Sequence, residues 1–433
     1  MNLEELLENS TPTQAETLLY MEAYRQIVDA IRTEIDKSGL KAEPVLVGSV
    51  AKGTNLKGSD LDIFIAFSKE YTEEQIEQNG IKIAKKVLPG GKARYAEHPY
   101  ISGEYHGINT DIVPCYNISP GETKISSVDR TILHTRYVNE NLKASAKNEV
   151  RKLKLFMKVS GIYGADVITS GFSGYVCELL IIIKKTFDSV IEMGATLRGN
   201  MNLSECVEPN AGAGSPVCIV DPTDSRRNAG AAVSLESLTK FKLACRLYKA
   251  RGYEGLTESV SGAIEHKAER GTAYRLISID RPDRTDDVLY PQALRLLRKL
   301  EEASIKEGYG IIGDTIFLNE KKVLILLEFD RSVVPEVVLH EGPPVDNGNV
   351  LDFLEKWKGD RVLRGPYVKG NRVYAEILRE FTKIDDFLGN FLTGLGLGGS
   401  LEKMRNSLEI VNPSGKVEYN GLIDSYLSRG LFR

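Results

Sequence analysis

Residues 45–67 read VLVGSVAKGTNLKGSDLDIFIAF. An apolar run breaks at Gly48-Ser49, and a short interval rich in Gly, Lys and Asn follows. The chain then resumes as DLDIFIAF, with Asp60 and Asp62 at the mouth of an otherwise apolar strand. Residues i and i+2 of a strand share a face. Asp60 and Asp62 are therefore expected to project together, with Leu61 and Ile63 turned toward a core. Two adjacent carboxylates repel, and each favours its protonated form unless a cation lies between them. A Mg²⁺ ion, held by one or two carboxylates and by substrate phosphates, removes the conflict. Asp111, in NTDIVPCY, is a third carboxylate at the start of a strand. If that strand lies beside DLDIF, three carboxylates converge. Gly48-Ser49 ends one strand and opens a short helix, where free N–H groups suit a phosphate. Lys52, one turn on, adds a point charge.

Working outward, residues 13–37 are expected to form an amphipathic helix with Tyr24, Ile27, Val28, Ile31 and Ile35 on one face. A polar helix is expected over residues 72–86, and NTDIVPCY is a strand that Pro114 should stop. These elements make an α/β unit. Residues 148–251 carry mostly helical signals around a Gly/Asn/Pro-rich loop at 208–216. Beyond Thr272, strand signals return in AYRLISI, TIFL, KVLILLEF and PEVVLH around a helix at 291–306. A helix near 350–357, a hairpin turning at KGN (369–371) and two helices around LTGLGLGGS complete the chain. The fold class expected is multidomain α+β. It comprises an α/β head (residues 1–145), a helical central domain (146–258) and a C-terminal α+β body with a tail (259–433).

Composition sets limits on class. Of 433 residues, 42% are apolar and 27% charged, which is ordinary for a folded protein. The longest apolar runs, such as YVCELLIII, are too short to span a bilayer, and the acidic start MNLEELLENS lacks a signal-peptide pattern. Five cysteines without a CxxC pair read as reduced, mostly buried thiols of a cytoplasmic protein, with no structural zinc. A net charge of −4 opposes uniform nucleic-acid binding but leaves room for local basic patches. Two stretches qualify. TKFKLACRLYKAR (239–251) has five basic residues and no acid. WKGDRVLRGPYVKGNR (357–372) has five against Asp360, with Trp357 and Tyr367 interleaved. Either is otherwise a solvated face.

GSVAKGTNLKGSDLDIF resembles the signature of the DNA polymerase beta-like nucleotidyltransferase superfamily. Within it, the chain resembles the archaeal (class I) CCA-adding enzymes, which are tRNA nucleotidyltransferases. RYAEHPY (94–100), DIVPCY (111–116), SSVDRTILH (126–134), NEVRKLKLFMKVSGIYGAD (148–166), SGFSGYVCELLI (170–181) and VDPTDSRRNAGAAVS (220–234) carry the narrower likeness. Beyond residue 240 the match lies in layout more than in residues.

The resemblance implies addition of C, C and A to the 3′ end of tRNA from CTP and ATP, with release of pyrophosphate, in a single Mg²⁺-dependent site. By the same resemblance Asp60, Asp62 and Asp111 are catalytic metal ligands, and Asp111 helps deprotonate the tRNA 3′-hydroxyl. Ser49 and Lys52 contact the triphosphate. His134, Lys154 and Tyr163 contact the nucleotide's phosphates and sugar, and Arg227 reads the base. Two positions depart from the family pattern: Asp60 stands where Glu is frequent, and Lys52 where Arg is frequent. Asp is shorter, and Lys lacks the guanidinium fork. Arg361, Arg364, Lys369 and Arg372 are the candidate tRNA-binding residues of the C-terminal region. Other readings stay open on sequence: a poly(A) polymerase or a 2′-5′ oligoadenylate synthetase-like enzyme, and a non-catalytic RNA-binding protein with a decayed enzyme domain. The three intact aspartates oppose decay. Oligomeric state is open too, a homodimer among the options.

Each residue also has a structural reading. Lys154 borders the apolar stripe of its helix and needs a partner, or else snorkels past the stripe. His134 reads as a packed histidine or a ligand contact, Tyr163 as a helix-end aromatic or a ribose contact, and the arginines of DSRRNAG as a surface loop or a base reader. Glu178, within an apolar helix, is expected to be paired, and Ser173 is a candidate helix cap.

Overall fold

The structure is a computed structural model and describes residues 2–95, 99–118, 128–203, 214–257 and 270–428. It divides into two compact units, residues 1–259 with 430–433, and residues 260–429.

In the first unit, α1 (Leu3–Ser10) precedes α2 (Gln14–Ser38). Thr13 caps α2 through a reciprocal pair with Glu16, as a Thr-x-x-Glu sequence dictates. The apolar stripe Ile27, Val28, Ile31 and Ile35 is buried, and Gly39 ends the helix in the left-handed region. The chain continues as β1 (Ala42–Val47), α3 (Gly48–Lys52), β2 (Leu61–Phe67), α4 (Glu73–Val87), β3 (Lys92–Tyr95), β4 (Pro99–Tyr105) and β5 (Ile108–Tyr116). These five strands form one sheet in the order β1-β2-β5-β4-β3. β2 pairs antiparallel with β1 and parallel with β5. Leu61, Ile63, Ile65 and Phe67 of β2 pack against α2 and α4 residues in one core, while Phe64 and Ala66 face a second cluster with Val47.

Pro114 does not stop the strand as the sequence suggests. It lies within β5, opposite Ile65 of β2. β4 pairs with β5 only as far as Ile112. Pro114 therefore sits where one side of the strand is open, the place at which a residue without an N–H is tolerated.

The helical part of this unit contains α5 (Arg130–Asn141), α6 (Lys147–Val159), α7 (Gly174–Lys184), α8 (Phe187–Thr196), α9 (Leu235–Arg251) and α10 (Glu254–Thr257). Short strands not foreseen from sequence interrupt it: β6 (Met201–Asn202), β7 (Val217–Cys218), β8 (Val220–Asp221) and β9 (Asp224–Asn228). Ser173 does cap α7, accepting from Val176 N at 3.2 Å. Phe156, Phe172, Phe187 and Phe241 share its core with Leu153, Met157 and Leu180. Cys115, Cys177 and Cys245 are buried free thiols. Cys218 is in a disulfide, which corrects the expectation of a wholly reduced set. Cys206, residues 96–98 and 126–127 of the quoted motifs, and residues 208–213 of the expected loop lie outside the described residues.

The second unit opens with β10 (Ala273–Asp280), α11 (Asp286–Lys306), β11 (Ile311–Leu318), β12 (Lys322–Phe329), β13 (Val337–Pro344) and α12 (Val350–Lys356). It continues with β14 (Val362–Lys369), β15 (Arg372–Leu378), α13 (Ile384–Gly394), β16 (Glu409–Val411) and α14 (Val417–Leu427). A four-stranded sheet, β11-β12-β10-β16, packs on α11 and α13. A three-stranded sheet, β13-β15-β14, is covered by α12 through Phe353, Val373, Ala375 and Ile377. The hairpin expected at KGN joins β14 to β15, with Gly370 at φ 62°.

Candidate active site

The site begins at the junction of β1, α3 and β2. Val47 is registered against Asp62 on one side, and Asp111 of β5 against Asp62 on the other. Gly48 has φ +73°, and a Cβ built there would fall 1.9 Å from Asp62 Oδ2. Only glycine can turn the chain this way beneath the carboxylate. The aspartates differ in setting: Asp60 is exposed, just before β2, whereas Asp62 and Asp111 are partly buried. Burial, then Asp111, then Asp60 raise the Asp62 carboxyl to about 7, with Lys52 opposing. Asp111 is also raised, first by burial, with a bond from Ser102 working against it.

These are hard oxygen donors crowded until their charges conflict, a setting that suits a divalent cation. Among the described residues no three acidic, histidine or cysteine side chains form a ready-made metal cage. The registered pair fits a divalent cation that takes one or two carboxylates and completes its sphere with phosphate and water.

A cavity of about 310 Å³ adjoins Asp60 and Asp62, and neither Asp111 nor Lys52 is in its lining. Its lining includes Ser49, Asp60, Asp62, Lys154 and Tyr163, five of the residues singled out from sequence. It also includes Lys57 and Lys158, which sequence reasoning did not single out. Both are exposed, and the Lys158 ammonium stands 5.3 Å from the centre of the Tyr163 ring. Next to Tyr163, Gly171 lets two backbone segments approach closely: a Cβ there would lie 2.2 Å from the Ile162 carbonyl oxygen.

Lys154 does not snorkel. It is 2% exposed and donates to Thr54 O (3.0 Å) and Thr54 Oγ1 (3.2 Å). Glu178 Oε1 lies 3.5 Å from its ammonium. Lys52 is also buried, with Nζ 2.6 Å from Glu178 Oε2. Glu178 is thus paired as expected. Burial works to raise its carboxyl, yet Lys52 and Lys154, with bonds from Lys52 and Thr54, hold it below its ordinary range.

His134 and Arg227 gather elsewhere, on the fully buried Asp221 of β8. Asp221 Oδ2 accepts from His134 Nε2 (2.8 Å) and Arg227 Nη1 (2.9 Å). Its Oδ1 accepts from Tyr175 O–H (3.1 Å) and from Thr223 N (2.9 Å). The His134 and Tyr175 rings stack at 3.9 Å. Burial lowers the His134 imidazole despite Asp221. Tyr175 links this group to the first, since the Lys52 ammonium lies 5.9 Å from its ring centre. Neither Asp221 nor Tyr175 was a sequence candidate; the place of Tyr175 in the 170–181 motif and of Asp221 in the 220–234 motif was the available signal.

The two basic stretches behave differently from simple phosphate combs. In α9, Lys240 and Lys249 pair with Glu236 and Glu192, and Arg246 donates to Ala195 O. Two of its five basic side chains, Arg246 and Lys249, brace α8. In the second unit, Arg361 lies 3.8 Å from Glu380, Arg364 3.3 Å from Glu376, and Arg372 2.8 Å from Glu341. Arg364 also covers the Tyr367 ring at 5.2 Å, and that ring stacks on Tyr374. Lys369 is exposed and has no acidic partner among the described residues.

A nucleotidyltransferase domain model matches residues 27–134, a model for the second domain of tRNA nucleotidyltransferase matches 148–255, and one for the C-terminal domain of CCA-adding enzyme matches 270–412. The CCA-adding enzyme of Thermoplasma volcanium is 42% identical over 86% of this chain and 84% of its own. Those of Picrophilus torridus and Thermoplasma acidophilum are 39% and 37% identical, each over the full length of both chains. Enzymes of this kind use a divalent metal. With family models across all three regions and relatives matched end to end, the chain belongs to the CCA-adding enzyme family of tRNA nucleotidyltransferases.

Proposed function

We propose that this protein adds C, C and A to the 3′ end of tRNA, using CTP and ATP, in the cavity beside Asp62. Membership of the family supports the activity. The observation that carries the site is Asp62, registered against Asp111 and lining a cavity with Ser49, Lys154 and Tyr163. Mg²⁺ held by Asp60, Asp62 and Asp111 would neutralise the charge of the triphosphate and of the departing pyrophosphate. Asp111 helps to take the proton of the tRNA 3′-hydroxyl. The 3′ oxygen bonds the α-phosphorus of the incoming nucleotide as the bond to the β-phosphate oxygen breaks, and pyrophosphate leaves. Ser49, Lys52 and Lys154 hold the phosphates. His134 and Tyr163 hold phosphate and sugar, and Arg227 presents to the base the guanidinium nitrogens that Asp221 does not occupy.

The tRNA body is read by the β14–β15 hairpin through Arg361, Arg364, Lys369 and Arg372, with Arg364 over the Tyr367 ring. No helix among the described residues is long and apolar enough to cross a membrane, and we place the enzyme with its tRNA in the cytoplasm. Asp62→Ala and Asp111→Ala should each abolish incorporation of both CMP and AMP while leaving tRNA binding nearly intact. More than a few per cent of activity in either variant would remove that residue from the reaction.

A further inference from the structure

Glu178 has no exposed surface, and no step of the reaction uses it. Removing one carboxylate and two ammonium groups from water costs several kcal/mol per ion before their attraction is counted. A leucine in an otherwise apolar helix avoids that cost, so the site asks what the carboxylate does.

Its donors come from separate elements. Lys52 of α3 reaches Oε2 at 2.6 Å, and Thr54, just beyond α3, donates to Oε1 at 2.6 Å. Lys154 of α6 approaches Oε1 at 3.5 Å and is tied to Thr54 by its bonds to the carbonyl and hydroxyl oxygens. One carboxylate on α7 therefore fixes two lysines and the loop behind Gly53. The group carries one net positive charge. Removing the carboxylate leaves two ammonium groups sharing one buried space, where each repels the other.

We propose that Glu178 is a positioning residue for the triphosphate: it fixes the Lys52 and Lys154 ammonium groups as a preformed pair beside Ser49. This rests on assigning those lysines to the phosphates. The pair would act on what CTP, ATP and pyrophosphate share, and not on the base. A charge-assisted hydrogen bond contributes enough for roughly tenfold in binding.

The test compares Glu178→Gln, Lys52→Met, Lys154→Met and Thr54→Val with wild type. It reads KM for CTP and ATP, inhibition by inorganic pyrophosphate, tRNA affinity and Tm. Glu178→Gln should raise both KM values by about the same factor, on the order of ten, and weaken pyrophosphate inhibition in parallel. The preference among CTP, ATP and UTP, and tRNA affinity, should hold. Lys154→Met should cost much less in the Glu178→Gln background than alone, because the two share one function. Thr54→Val, which keeps both charges, should give a smaller effect of the same pattern and serves where Glu178→Gln does not fold. If the lysine variants raise KM but neither Glu178→Gln nor Thr54→Val does, the positioning role is wrong. If the lysine variants leave KM and pyrophosphate inhibition unchanged, the assignment of the lysines is wrong instead.

Discussion

Replacing Asp62 by Asn should abolish activity and make the metal-free protein more stable at alkaline pH. The sign follows from linkage. The folded carboxyl is raised to about 7 by burial, Asp111 and Asp60, whereas an unfolded aspartate titrates near about 3.9. As pH rises between these values, the unfolded chain has lost its proton while the folded protein keeps it, so stability falls. Three pH units at roughly 1.4 kcal/mol each set a ceiling of about 4 kcal/mol, reached above pH 7. Asn keeps the shape and never ionises. Allowing for relaxation around the charge, we expect a gain of about 2 kcal/mol at pH 8, several degrees in the Tm of the unit that holds the site. Thermal unfolding of both proteins in EDTA at pH 8 and pH 5 measures it. The gain should shrink to less than half at pH 5. Added Mg²⁺ should raise the wild-type Tm at pH 8 and leave the variant nearly unmoved. A variant no more stable than wild type at pH 8, or a gain equal at both pH values, would show that the Asp62 carboxyl is not raised in the folded protein.

Arg227→Ala should raise KM for CTP and ATP and increase UMP misincorporation, with smaller effects on tRNA affinity; an unchanged ranking among CTP, ATP and UTP in single-nucleotide assays would rule it out as a selector. Asp221→Asn should reproduce part of that loss, since Asp221 holds both Arg227 and His134, and should add nothing to the selectivity defect of Arg227→Ala in the double variant. Changing Arg361, Arg364, Lys369 and Arg372 together to Ala should weaken tRNA binding and flatten its salt dependence. Four phosphate contacts would change the log–log slope by about 3, but three of these residues already hold a glutamate. We therefore expect a change of about 1 to 2, read from binding titrations at several salt concentrations; equal slopes would place the tRNA surface elsewhere.

The DLDIF strand, its partner at Asp111 and the Gly48 turn were legible because a strand's period of two and the needs of a crowded carboxylate act over a few residues. The same holds for α2 and for the hairpin at Gly370. What escaped was tertiary. Glu178 meets Lys52 across 126 residues and Asp221 meets His134 across 87, and no local pattern announces either pairing. Pro114 read as a stop because the sequence does not show that β4 leaves one side of β5 open. The strands β6 to β9 are two to five residues long, too short for a periodic signal. The basic stretch at 239–251 read as a possible RNA face, and its partners on α8 lie in a different helix.

The most direct measurement is the sequence of the product ends. The protein is incubated with Mg²⁺, CTP, ATP and a tRNA lacking its last three nucleotides, and the 3′ ends are mapped. C, C and A should be added in that order, with arrest after the third nucleotide and no addition to a tRNA that already ends in CCA. A run of adenylates, or no addition by a protein that binds the tRNA, would contradict CCA addition by this chain.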